Sequence, residues 1–440
     1  MTPKKDAENP WTAEDEKGHL SSTLEWWALI AFFTTQENQK HWSIKATLSE
    51  GGPTKKQTDS LVNITLFDEE TNRHYVIYKR ISGAPLRTRQ DAFDVSLNDS
   101  YMKGSYPAYD AHFRDQDQDI EIDFTVQAES LPHWVAQDAT SGWIPMGLGF
   151  FRYGYIPKTR ISGTLKIHGE LFTLEGTGYF EHVWGNFSFQ NPLSSMKDLK
   201  KTLFTYVRLI GWWLRNQKPR IPATVMLSTE NNPFGYDWTW ALLDNGWTIF
   251  YGNSLFWMME GCATGILILS KDGKTYTEFN TIDFRYNTIQ TSKNYDFVYP
   301  SDLEITASKG KETIHLRFMM TQECREYVSR YPNGRYWLAF VICESPGTTK
   351  GYYRDEKEEI PLTGICKVEP QRQVSIIGHN TLRIDILKPP KGVGITIEIN
   401  SRYLEKKIVA QLRLAPKPAL RFSWKKTKSL RQKNEQLIHH

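Results

Sequence analysis

The stretch Gly176-Thr177-Gly178-Tyr179-Phe180-Glu181-His182-Val183-Trp184-Gly185-Asn186 sets an acid, an imidazole and an indole within four positions, between glycines of the kind that form turns. An extended chain alternates its side chains. A strand here puts Phe180, His182 and Trp184 on one face and Tyr179, Glu181 and Val183 on the other. Two readings follow. One is a packed sheet strand with a hydrogen-bonded core histidine. The other is a histidine and an indole turned together into a closed apolar space, where they move a proton beside a cation-stabilising ring.

The surrounding sequence is of the same alternating kind. Residues 42–48, 61–66, 303–307 and 394–399 read as strands. In 120–126 the apolar residues take every second place, so Glu121 and Asp123 face water and need no catalytic role. Asp272-Gly273 and Asn333-Gly334 supply the positive φ of tight hairpins. Many short antiparallel strands predict an all-β chain of sandwiches or up-and-down barrels, not a parallel α/β sheet. At 440 residues, two domains are expected. Each half opens on a Trp-rich strand, 24–30 and 237–243, which hints at two similar barrels in tandem.

One segment departs from this pattern. Between Ser195 and Asn216, Lys197, Lys201, Arg208 and Arg215 line one side of a helix, and Leu199, Leu203, Phe204, Tyr206, Val207, Ile210, Trp213 and Leu214 cover much of the rest. Such a helix either lies flat among lipid headgroups or packs on a barrel as an outer helix or lid. The run Lys425 to Lys433 is basic and reads as a loose tail.

Composition narrows the function. A net charge of +4 gives no nucleic-acid footprint. Fifteen Trp, 21 Tyr and 22 Phe supply wide, stiff walls. Cys262, Cys324, Cys343 and Cys366 lack metal-ligand spacing and read as core residues. The other histidines are scattered, and no phosphate loop or nucleophile elbow is present. No metal and no cofactor is expected. The N-terminus lacks a secretory apolar region and no run is long enough to span a bilayer, which predicts a cytoplasmic protein, with membrane association through 197–215 as an option.

Three landmarks together carry a resemblance: His19 six residues ahead of Glu25-Trp26-Trp27, the Gly176–Asn186 element, and Trp238-x-Trp240. They resemble the lipocalin-like carotenoid 1,2-hydratase (hydroxyneurosporene synthase) family, whose superfamily includes lipocalin-like pericyclases. The likeness runs by motif from residue 19 to about 260 and by strand character to about 420. It implies two tandem calycin-type barrels, here 15–175 and 176–422, with a helical insertion near 195–216 and a basic tail, 423–440. It also implies an apolar isoprenoid or polyene as ligand. The family's His and Trp fall on His182 and Trp184, and its Glu-Trp-Trp on Glu25, Trp26 and Trp27.

Three positions depart from the pattern. Ala28 stands where a Tyr is frequent, Glu181 stands where an Asp is frequent, and about fifty residues separate Asn186 from Trp238. In the hydratases a Tyr-x-Asp pair is expected after Trp-x-Trp, with Asp as proton donor. The nearest equivalent is Tyr251-Gly252-Asn253, and an amide cannot protonate an alkene.

Hydrating an isolated C=C needs a proton donor, a shielded cation and a delivered water. Burial keeps a carboxyl protonated, and its proton transfer is general acid catalysis. Glu181, Asp237 and Glu25 are the candidate acids and His182 the base. Trp184, Trp238, Trp240 and Tyr251 are candidate cation-facing walls. Trp26, Trp27 and Asn253 complete the substrate-binding set. Glu181 points away from His182 on a regular strand, so the two need not share a space. Trp238 and Trp240 equally read as barrel filling, and Glu25 as an ion-paired rim residue. The competing functions are a pericyclase or isomerase, which gains rate from orientation alone, and a non-catalytic isoprenoid or lipid carrier.

Overall fold

A computed structural model describes residues 10–52, 58–146, 149–186, seven positions between 200 and 211, 224–227, 235–253, 265–279, 281–292, 298–321, 325–330, 338–375, 380–387, 390, 392–401 and 406–426. These residues form three antiparallel sheets, with little helix besides a turn at Ala13–Asp15 and the short helix Gln137–Thr140.

The first sheet is built from residues 24–186. Its path runs Arg73–Ile81, Asp59–Asp68, His41–Gly51, Leu24–Thr35, Glu170–Asn186, Gly149–Ile167, Ile120–Ala128, Ala108–Asp115, Ser100–Ser105, Phe93–Leu97, Arg87–Thr88. It curls so that its first strand approaches the far end of Ala108–Asp115. Lys79 Nζ lies 3.4 Å from Asp115 Oδ1, and Gln118 Nε2 donates to Val76 O at 2.7 Å. Alternation decides what faces inward: Trp27, Leu29, Ala31 and Phe33 of Leu24–Thr35 join the interior core, while Ile30 and Phe32 face the second sheet.

The strand Glu170–Asn186 sits between Leu24–Thr35 and Gly149–Ile167, paired with both. The division expected after residue 175 falls inside it, and the pairing gives the whole strand to the first sheet. Its glycines are not turns. A Cβ on Gly176 would lie 2.1 Å from Phe32 O, and one on Gly185 2.1 Å from Phe150 O. These residues are bare because neighbouring backbone crowds the sheet. Gly185→Ala is expected to cost about 1–3 kcal/mol through forced backbone shifts, read as a lower thermal unfolding midpoint. An unchanged midpoint would show that the sheet gives way freely there.

The second sheet runs Thr277–Phe279, Gly265–Ser270, Thr248–Asn253, Gly235–Leu243, Glu359–Ser375, Leu338–Arg354, Glu312–Met320, Val298–Lys309, Thr281–Thr291. The turn at Asp272-Gly273 joins its first two strands as expected, with Gly273 at φ +70°. Its inner core includes Ala241, Leu243, Ile249, Tyr251 and Leu267. Asn333-Gly334 lies outside the described residues. Cys343 and Cys366 are buried free thiols, and Cys262 and Cys324 lie outside the described residues.

Ile30, Phe32, Tyr155, Tyr179, Trp238, Trp240 and Phe250 fill a core between the two curled sheets. Trp240 Nε1 donates to Pro157 O at 2.9 Å, and Glu278 accepts the backbone N–H groups of Gln137 (2.6 Å) and Asp138 (3.0 Å). The architecture is therefore the expected all-β pair of curled, lipocalin-like antiparallel sheets.

The expected C-terminal unit also holds a third sheet: Thr224–Leu227, Asn380–Leu387, Val393–Ser401, Lys406–Ala415, Ala419–Lys426. The start of the expected loose tail, 423–426, is strand; 427–440 lies outside the described residues. In the expected helical insertion the described positions, from Lys200 to Gly211, are helical. Lys197 and Arg215 lie outside them. Lys201 Nζ lies 3.4 Å over the Trp143 ring, and Arg208 donates to Ala139 O at 3.1 Å, while Phe204 and Val207 are exposed. These two cations therefore face the protein. Among the described residues no helix is long and apolar enough to cross a membrane.

Candidate active site

Strand register assembles the site. Trp27 pairs with His182 and Glu25 with Trp184 across the two strands, so all four point into the first sheet. His182 Nδ1 lies 2.6 Å from Asp15 O, and Nε2 lies 2.9 Å from Glu25 Oε1. Glu25 also takes the backbone N–H of His19 on both oxygens at 2.9 Å, and His19 Nδ1 lies 2.8 Å from Oε1. The Trp184 indole stacks on His19 at 4.0 Å and the Trp27 indole on His182 at 4.4 Å. Each imidazole thus has an indole face against it.

The segment preceding Leu24 closes over this group. Trp27 Nε1 donates to Glu16 O at 3.0 Å. The Glu16 carboxylate accepts Tyr109 O–H (2.6 Å), Trp11 Nε1–H (3.0 Å) and the Tyr106 backbone N–H (3.0 Å). Arg152 holds Asp15 at 2.8 Å with its guanidinium 3.7 Å over Trp134. His182 is 0% and Glu25 1% exposed.

Both nitrogens of His182 face oxygen acceptors. A carbonyl can only accept, so Nδ1 carries a proton toward Asp15 O. Nε2 and Glu25 Oε1 then need one further proton between them, since two bare lone pairs 2.9 Å apart out of water would repel. The geometry is that of a one-proton carboxyl–imidazole pair. Burial pushes the His182 imidazole below its usual range, against the pull of Glu25. For Glu25, burial pushes up, but the hydrogen bonds of His182 and His19 outweigh it and hold the carboxyl below its ordinary value. The shared proton is loosely held and coupled to both groups.

The other sequence candidates lie elsewhere. Glu181 is on the opposite face of its strand and belongs to the layer between the sheets. It accepts Trp26 Nε1–H at 2.9 Å, Tyr179 O–H at 2.9 Å and the Tyr153 hydroxyl, to which Trp238 Nε1 donates at 2.8 Å. Burial, with Glu181 beside Tyr153 and Tyr153 beside Tyr179, pushes both phenols well up, so they remain donors. Trp238 and Trp240 fill this same layer and do not face His182, because their strand presents its even-numbered residues outward from the second sheet.

Asp237 and Tyr251 point the other way, into the second sheet, where both are buried and Asp237 accepts the Tyr286 hydroxyl. Asp237 pairs in register with Asn253. A carboxyl lacking at 253 thus stands on the adjacent strand, but not beside His182. Glu181 lies apart from His182 as its strand alternation implied, and Asp237, Tyr251, Trp26, Trp238 and Trp240 also stand in other layers than His182.

Sequence reading did not place His19, Asp15 or Arg152 in the site. His19 had a signal, its six-residue lead on Glu25. Asp15 acts through its backbone carbonyl, which leaves no mark in side-chain pattern. The donor atoms of His19, Glu25 and His182 all lie within 4.8 Å of one another. Two imidazoles and a carboxylate are also a donor set that divalent transition metals accept, which the scattered histidine pattern did not suggest.

The chain is similar in structure to the AttH-type protein of Nitrosomonas europaea, with a TM-score of 0.56 and 16% identity over 82% of this chain and 97% of that one. It is also similar to kievitone hydratase from Nectria haematococca, with a TM-score of 0.53 and 14% identity over 82% and 93%. At this identity the shared property is the fold. No family model and no curated protein sequence matches the chain.

Proposed function

We propose that the protein is a cofactor-independent enzyme acting on an apolar unsaturated small molecule of the isoprenoid or polyene class, and that its reaction is acid-catalysed hydration of a C=C bond. The observation that carries this reading is the buried Glu25–His182 contact at 2.9 Å, with Nδ1 turned to Asp15 O and an indole stacked on the imidazole. The proton passes from the pair to one alkene carbon, leaving a cation at the other. Trp27 and Trp184, whose rings border the pair, shield that charge from water. Water adds to the cation, and the proton it releases returns to the pair, so the catalyst is regenerated. His19, partly exposed, marks the side from which water arrives. Kievitone hydratase shares the fold and is by name a hydratase, which supports the reaction class and not the substrate.

The test uses a panel of prenylated and polyene substrates in D2O. Hydration adds one water and leaves one deuterium on carbon. Cyclisation changes neither mass nor carbon-bound deuterium. Unchanged substrates across the panel, with tight binding, would assign the fold to carriage.

The pH dependence follows from the direction of His182. Its proton is held less tightly than in free imidazole, so the reactive form fills as pH drops below neutrality. Turnover is expected to rise from pH 8 to pH 6 while the fold holds. A profile rising toward alkaline pH would remove the pair as the acid. Turnover is also expected to survive exhaustive dialysis against EDTA. Loss restored by a divalent cation would reassign His19, Glu25 and His182 as ligands.

A further inference from the structure

No side chain is buried among strand residues 383, 385–387, 393–400, 406–415 and 419–426 of the third sheet. Its last two strands form a hairpin in which Ile408 pairs with Trp424 and Leu412 with Leu420. Alternation sets these residues, with Leu414 and Phe422, on one face. Leu420 is 77%, Phe422 68% and Trp424 58% exposed. An apolar sheet face of this extent marks a contact surface.

Charge selects the occupant. Residues 406–426 contain seven Lys and Arg and no Asp or Glu. Lys406 and Lys426 pair across the hairpin on the apolar side, with Lys406 Nζ 5.2 Å over the Trp424 ring. Arg413, Arg421 and Lys425 lie across a thin sheet, within a Debye length of whatever the apolar face touches, as does Lys407, which is paired with Glu398 at 2.7 Å. The sequence beyond this edge adds Lys428, Arg431 and Lys433. A second copy would bring like charge against like charge. An anionic bilayer offers acyl chains to the apolar residues, headgroups to the rim lysines and an interfacial level that suits an indole.

We propose that the hairpin of Lys406–Ala415 and Ala419–Lys426 docks the protein on anionic membrane surfaces. This goes beyond the catalytic reading and does not depend on it.

The full-length protein is pelleted with vesicles of phosphatidylcholine alone, or with about one third phosphatidylserine. Binding to the mixed vesicles is expected to be at least about tenfold stronger and to weaken with salt. Phe422→Ser with Trp424→Ser should lose about tenfold in binding. Lys406→Glu with Lys426→Glu should lose the preference for serine lipid. Circular dichroism and thermal unfolding check that both variants fold. Equal pelleting of wild type and both folded variants, or none with the mixed vesicles, overturns the proposal. So does self-association in sedimentation velocity that vanishes in Phe422→Ser with Trp424→Ser, which would assign the face to a second copy.

Discussion

Glu25→Gln should reduce turnover by about 10²–10⁴-fold, the usual contribution of a positioned general acid, while the first sheet stays folded. The substitution is chosen for its shape. The amide nitrogen in place of Oε1 donates to His182 Nε2, and the amide oxygen in place of Oε2 still accepts the His19 backbone N–H. The transferable proton is gone, and with it the second His19 N–H bond, which ends on Oε1. His182→Ala removes the partner instead, leaving Asp15 O without its donor and Glu25 without its imidazole. It should match Glu25→Gln in turnover, and the double variant should be little worse than either, because groups that act as a unit are non-additive. Independent, multiplying losses would separate the two roles. Turnover by folded Glu25→Gln within about threefold of wild type would show that the acid lies elsewhere, with Asp237 the next candidate.

Much of this site was legible in advance, and the limit is physical. Alternation along 176–186 correctly set Phe180, His182 and Trp184 apart from Tyr179, Glu181 and Val183, because side-chain period in a strand is fixed by backbone geometry. What no single strand reveals is register. That Trp27 meets His182, and Glu25 meets Trp184, depends on how two strands align. The same limit explains the misplacement of Trp238 and Trp240. Their strand alternates as expected, yet which face looks inward is set by the curl of the sheet around Ala241 and Leu243.

The glycines at 176 and 185 resembled turn residues because close backbone approach and turns favour the same residue. The sequence left open whether Gly176–Asn186 closes the first barrel or opens the second; the strand Glu170–Asn186 pairs within the first sheet, a register no single strand reveals. Membership of the site through a backbone carbonyl, as at Asp15, has no side-chain signature at all.

Glu181→Ala should lower stability by about 3–5 kcal/mol, as expected when a buried charged acceptor is removed from donors that remain. The corresponding fall in unfolding midpoint is on the order of 10 °C. Three donors from three neighbouring strands of the first sheet converge on this carboxylate: the Trp26 indole, and the hydroxyls of Tyr153 and Tyr179. Tyr153 and Tyr179 lie 3.0 Å apart and satisfy one another in part, which limits the loss. Trp238, reaching across from the second sheet, depends on Tyr153 staying in place. The cost should therefore appear in how the two sheets hold together as well as in the first sheet.

Turnover per folded molecule below the midpoint should stay within about threefold of wild type, since Glu181 points away from His182. Two adjacent residues on one strand then divide cleanly, one holding the layers together and the other handling the proton. A folded Glu181→Ala variant with normal stability and no turnover would reverse those roles and move the chemistry into the layer between the sheets.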